Sequence, residues 1–205
     1  MSLAKSCSDL KKLDPTAENG TYVIDPDGEG NVPPYNVTCD MTDKNGVGVT
    51  VISHDSESKT LVNGCEPPGC YMRDINYTEA SLLQLASLAN VSTHCEQFIK
   101  YECFGSKMFR DKIFAWWVSR DSATMTYWGG AAPGSGKCAC GMNSSCAKRN
   151  LDCNCDANDK EWREDSGLLT DKAHLPVKQL RFGDTGLDFE KGYHVLGKFK
   201  CCGIA

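Results

Sequence analysis

No stretch of the sequence approaches the roughly 20 consecutive apolar residues that cross a bilayer. The opening "MSLAK" likewise lacks the apolar core of a signal peptide. This segment is therefore not expected to insert into a membrane, and residues 1–5 read as a linker or foreign leader. Lysine and arginine are scattered without any basic block, and the formal charge is −5. Nucleic acid is excluded as a partner, because displacing phosphate counterions takes a clustered cationic footprint. There is no G-x-S-x-G, no H-E-x-x-H and no phosphate loop, and His54, His94, His174 and His194 fall in no recognised motif. No enzymatic activity is expected and no cofactor is required. Internal repeats and low-complexity tracts are also missing, so residues 6–202 are expected to form one domain. With 205 residues, the chain is long enough to bury a core of its own.

Against these absences stand thirteen cysteines, a density typical of oxidising compartments. Five N-glycosylation sequons, at Asn19, Asn36, Asn76, Asn90 and Asn143, point the same way. Together they predict an extracellular protein, secreted or part of a cell-surface ectodomain, with six disulfides and one cysteine over, at Cys201 or Cys202. Cys65 and Cys70 bracket the turn-forming "EPPG" and are expected to close a local clip. In "KCACGMNSSCAKRNLDCNCDANDKEW", the cysteines of "CAC" and "CNC" point to opposite sides of an extended chain and must seek different partners. Structural zinc favours ligands two to four residues apart and needs reduced thiolates. A disulfide knot of Cys138, Cys140, Cys146, Cys153 and Cys155 is the better reading, with Cys95, Cys103 and Cys201 bridged elsewhere. With no C-x-x-C anywhere, a redox centre is not expected.

The fold class is α+β and strand-dominated. "GTYVID", "YNVTCDM" and "VGVTVIS" alternate like half-buried strands, the last preceded by the turn "DKNG". "NYTEASLLQLASLAN" predicts one amphipathic helix between an N-cap at Thr78 and a stop at Asn90, with Leu82, Leu85 and Leu88 in the core. "EQFIKYEC", "IFAWWVS", "TMTYWGG", "VKQLRFG" and "YHVLGKFKC" are short β-branched and aromatic runs. Trp116, Trp117, Tyr127 and Trp128 in them read as core rather than as a groove.

The opening "CSDLKKLDPTAENGTYVIDPDG…YNVTCDM…GVTVIS" resembles the first third of fibrinogen C-terminal-like domains. From there on, "CEQFIKYEC", "WWVSR", "YWGG", "CACG", "CNCD", "EW", "DSGLL", "HLPV" and the closing Gly-x-x-x-Cys resemble the fibrinogen-like module of contactin-associated proteins, in the neurexin superfamily. The resemblance implies a fibrinogen C-terminal-like fold, pairing of Cys7 with Cys39, and a non-catalytic adhesion module that binds an extracellular protein. The calcium stretch and acetyl-group pocket of the fibrinogen lectins are missing, so glycan recognition is the alternative rather than the first expectation. A structural or assembly unit of an extracellular matrix is the other.

Calcium is an optional ligand at two acidic loops. One is Asp25, Asp27 and Glu29 in "DPDGEGN", whose register to Cys39 resembles the calcium loop of fibrillar-collagen propeptides, although Pro33 replaces the last aspartate. The other is Asp156, Asn158, Asp159 and Glu161 in "DANDKE", where disulfides would hold oxygen ligands ready. A partner face is expected between Cys146 and Ala205, beyond every sequon. It would join the aromatics Trp162 and Phe182 to Arg163 or Arg181, near Lys172 and His174.

Overall fold

The computed structural model describes residues 2–205. In chain order it contains α1 (Cys7–Leu13), β1 (Gly20–Ile24), β2 (Tyr35–Asp40), β3 (Val49–Ile52), β4 (Thr60–Val62), β5 (Tyr71–Asp74), α2 (Leu82–Val91), β6 (His94–Phe104), β7 (Trp116–Val118) and β8 (Thr124–Met125). There follow α3 (Ala139–Met142), β9 (Trp162–Leu169), β10 (Gln179–Phe182), β11 (Lys191–Leu196) and β12 (Phe199–Cys202). Strands dominate, with few and short helices.

The larger sheet runs β1-β2-β3-β12-β6-β11-β4, and β9 joins it by pairing with β6. β6 is its axis. β11 and β12 both run antiparallel to it, and the register slips by one residue between Leu196↔Ile99 and Lys200↔Glu96. That slip is a bulge at Gly197-Lys198, of the kind that lets a long sheet bend without losing its ladder. The bend carries "YHVLGKFKC" as two strands. A smaller sheet, β5-β10-β7-β8, packs beside it.

Alternation accounts for the first strands. In β2, Tyr35, Val37 and Cys39 are buried while Asn36 and Thr38 face out, as one buried face of an antiparallel pair requires. α2 is fixed by its start: Ser81 accepts from the Gln84 N–H while the Gln84 side chain accepts from the Ser81 N–H. This capping box places the N-cap at Ser81 rather than Thr78, because only Ser81 has a Gln three residues on to reciprocate. Leu85 and Leu88 are buried as the spacing predicts, Leu82 is half-buried, and Leu83 is 74% exposed.

Between the sheets, Tyr101 stacks on Phe182 with centroids 4.3 Å apart, and Trp128 and His194 pack on the same phenyl ring. Trp117, Tyr127 and Trp128 are buried, and both indole N–H groups donate to backbone carbonyls, of Tyr127 and Asp165. Each of these two indoles contributes roughly 1.5–3 kcal/mol by leaving water with its polar handle satisfied, whereas the buried Tyr127 hydroxyl has no partner. Trp116 is half-buried, with the Arg181 guanidinium over its ring.

Candidate functional site

Each Cys-x-Cys pair sends its members to different partners. Cys138 joins Cys153 and Cys140 joins Cys146, while Cys155 reaches back to Cys103 on β6. The remaining bridges are Cys7–Cys39, Cys65–Cys70 and Cys95–Cys201, and Cys202 is free and buried. Two buried carboxylates brace the knot. Asp165 of β9 accepts from the Asn154 and Cys155 N–H groups, and Asp156 accepts from those of Met108 and Phe109. Burial raises both carboxyls, that of Asp165 to about 6.

β9 is held on its outer flank by two glycines in close approach. The Gly130 N–H donates to the Leu168 carbonyl, and the Trp128 indole donates to that of Asp165. The "YWGG" and "DSGLL" motifs therefore dock on one another. With β9 fixed against β6, four strands in the order β4, β11, β6 and β9 share an outer face.

That face is unusual for a solvated sheet surface, which is ordinarily polar. Trp162 is 48% exposed, Phe98 37%, and Leu61 and Leu168 43% each, with Phe104, Tyr193 and Val195 half-buried among them. The Trp162 ring lies 5.4 Å from Phe104 and 5.6 Å from Tyr193, centroid to centroid. The Lys59 ammonium sits 4.5 Å over the Tyr193 ring, and that of Lys191 lies over both Phe104 and Trp162. A shallow cavity of about 450 Å³ opens here, lined by Lys59, Glu102, Trp162, Arg163, Glu164 and Tyr193. Its charges are matched in pairs: Lys59 with Glu102 at 2.6 Å, Lys100 with Glu102 at 3.3 Å, and Lys100 with Glu164 at 3.6 Å.

Of the residues expected on a partner face, the structure brings only Trp162 and Arg163 to this place. Phe182 is a core ring instead. The Lys172 ammonium donates to the Ala89 and Ser92 carbonyls at the end of α2, His174 pairs with Asp171, and Arg181 donates to the Gly69 carbonyl. Tyr193, Phe104, Lys59 and Glu102 escape a linear reading because only register brings them together.

The loop "DANDKE" does not gather its oxygens on one point. Asp156 turns inward as described, and Asp159 takes a two-point bond from Arg163, which holds its carboxyl down at about 2. Asn158, in a left-handed conformation, and Glu161 face solvent. In "DPDGEGN", Glu29 is exposed, whereas the Oδ1 atoms of Asp25 and Asp27 are both sealed from water without a partner. Burial, and then Asp27 beside it, pushes the Asp25 carboxyl above the usual range. All five sequon asparagines, Asn19, Asn36, Asn76, Asn90 and Asn143, are exposed.

The histidines are taken up separately. His54 contacts the Gly197 carbonyl and His94 pairs with Glu96. His194 is buried against Phe182 and Tyr71, and that burial lowers its pKa to about 4.

No family model matches the chain. Neurexin-4 of Drosophila melanogaster is 39% identical over 207 residues, which cover 97% of this chain. Contactin-associated protein 1 of Rattus norvegicus and of Homo sapiens are each 38% identical over 188 residues, or 90% of this chain. The chain is a homologue of one segment of these proteins. It spans only 16% of neurexin-4, and 14% and 13% of the rat and human proteins. Among the described residues, no helix is long and apolar enough to cross a membrane.

Proposed function

We propose that the chain is a non-catalytic, extracellular recognition module of fibrinogen C-terminal-like fold, and that it binds a protein partner through the outer face of β4, β11, β6 and β9. The observation that carries this reading is the exposed Trp162–Tyr193–Phe104 cluster, ringed by lysines and carboxylates. Large contiguous apolar patches rimmed by polar groups mark interaction sites, and tryptophan with tyrosine and arginine is the composition of interface hot spots. The six bridges and the kinship with segments of neurexin-4 and contactin-associated protein 1 support the extracellular setting.

The name of contactin-associated protein 1 makes a contactin the first partner to try. Trp162→Ala is expected to weaken binding of an immobilised contactin by about thirtyfold, the effect of losing a hot spot of about 2 kcal/mol. Leu83→Ala, at an even more exposed apolar position on α2, should leave the affinity unchanged. Equal affinities for wild type and Trp162→Ala in surface plasmon resonance would remove this face from the reading. Retention on a glycan array that is lost with the same variant would turn it toward the lectin alternative.

The exposure of all five sequon asparagines supports a glycoprotein. Material secreted from animal cells is expected to lose the mass of at least three glycans on treatment with an N-glycosidase. Asn143, between the bridged Cys140 and Cys146 and accepting from the Ser145 hydroxyl at 2.5 Å, is the site expected to be least occupied. An unchanged mass would count against passage through a glycosylating secretory route.

A further inference from the structure

Three of the five sequons converge on one groove. The third residue of each, Thr21 after Asn19, Thr38 after Asn36 and Thr78 after Asn76, lines a cavity of about 500 Å³ on the outer face of β1, β2 and β3. Register explains the gathering. Thr21 lies opposite Thr38 and Thr38 opposite Val51, so one row of outward side chains crosses the three strands. Thr78 arrives from the segment after β5, where its N–H donates to the Ser53 carbonyl just past β3. Of the three asparagines only Asn36 lines the groove itself, projecting outward from β2. Asn19 faces a separate hollow, where its amide oxygen accepts from the Met41 N–H.

We infer that this groove is the seat of the Asn36 glycan, whose first N-acetylglucosamine folds back onto Thr38 and Val51 instead of projecting freely into solvent. This rests on the glycoprotein reading above. The tether names the occupant: a sugar bonded to the Asn36 Nδ2 is held at the groove at an effective concentration on the order of millimolar or above. Contacts too weak to retain a free sugar therefore suffice for this one. The lining also matches a sugar, since ligand sites join apolar wall to a few placed polar groups. The hydroxyls of Thr21, Thr38 and Thr78 and the Glu79 carboxylate meet the ring hydroxyls and the acetamido group. Val51, half-buried, and Val23, 44% exposed and opposite Asn36 in register, offer apolar surface to the acetyl methyl and the C–H face of the ring. None of the lining residues is cationic, which suits a neutral core sugar and not an anionic terminal one.

The test uses the chain secreted from animal cells that make only high-mannose glycans, trimmed with an endoglycosidase that leaves a single sugar at each site. In NMR spectra of this form, the acetyl methyl of the Asn36 sugar is expected to show NOEs to the methyl groups of Thr38 and Val51. Asn36→Gln should lower the Tm by about 2–4 °C, whereas Asn90→Gln, which removes a glycan from an exposed position on α2, should lower it by less than about 1 °C. Trimming the wild type to one sugar should leave its Tm unchanged, because the seated sugar is the one that remains. An Asn36 sugar without NOEs to the groove, or an Asn36→Gln chain that melts with Asn90→Gln, would overturn the seat. Mass spectrometry separates the two readings. An unoccupied Asn36 beside glycosylated neighbours would overturn the seat and leave the glycoprotein reading intact, and sugar at no site would overturn both.

Discussion

A chain carrying Cys95→Ala and Cys201→Ala is expected to lose about 4–5 kcal/mol of folding stability, roughly a third or more of what a folded domain commonly has. The bridge joins residues 106 apart in sequence, so in the unfolded chain it closes the longest of the six loops and removes the most conformational freedom. By the same reasoning Cys140–Cys146, with a separation of 6, contributes only about 2.3 kcal/mol. The long bridge also sits where β12 meets β6, at the Cys201↔Cys95 register position. It therefore ties β1, β2, β3 and β12 to the half of the sheet that carries the candidate face. Cys201→Ala alone should be as damaging as the double change. Cys202 is opposite His94, one residue out of register, and successive side chains on a strand leave from opposite faces, so the free thiol is not placed to substitute. Urea titration should show the midpoint falling and the slope rising, because the denatured chain freed of its longest loop is less compact and exposes more surface. A loss under about 1 kcal/mol would mean that packing alone holds the β6–β12 seam and that the chain-entropy account fails here.

What the sequence discloses and what it hides divide along physical lines. β2 is readable because one of its faces meets the core and the other meets water, so hydrophobicity alternates. α2 is readable except at its start, where two polar residues near the N-terminus compete as caps and only the reciprocal Ser81–Gln84 bonds decide. β9 is not legible: Arg163, Glu164 and Asp165 look like a solvated charge run. In the fold, Glu164 projects outward toward Lys100, whereas Asp165 projects inward and is stabilised there by two N–H groups of the knot. The charge of Asp156 is hidden in the same way. Phe182 reads as a surface residue because it sits among charges, yet the β10 register with β5 and β7 turns it into the core. The candidate face is only partly legible. Trp162 stands out as an aromatic between charges, but Tyr193 is 31 residues away in number and reaches it only because β11 and β9 flank the same strand.

Gly167→Ala is expected to cost about 3–5 kcal/mol, from overpacking and from buried N–H groups left without acceptors. A Cβ at Gly167 would come within 3.0 Å of the Gly129 carbonyl and the Gly130 nitrogen, and a Cβ at Gly129 would meet the Gly167 carbonyl as closely. All of these are backbone atoms, so no change of rotamer relieves the contact. Neither glycine has a positive φ; the requirement is for space, not for left-handed backbone. The extra methyl must push β9 away from residues 128–130, stretching the Gly130 N–H to Leu168 bond of 2.9 Å and the Trp128 indole to Asp165 bond of 3.0 Å. Gly134→Ala is the matched control: its φ is +77° with nothing within 4 Å of the added Cβ, so it should cost only the left-handed penalty of about 1–2 kcal/mol. A Gly167→Ala loss no larger than the control's would show that the two motifs are not in backbone contact. A loss of the expected size, with tryptophan emission shifted to the red as Trp128 meets water, would place the anchorage of β9 at that contact. Because β9 carries Trp162 and Glu164, any Gly167→Ala protein that remains folded should also recognise its partner more weakly, through displacement of the face rather than loss of a contact.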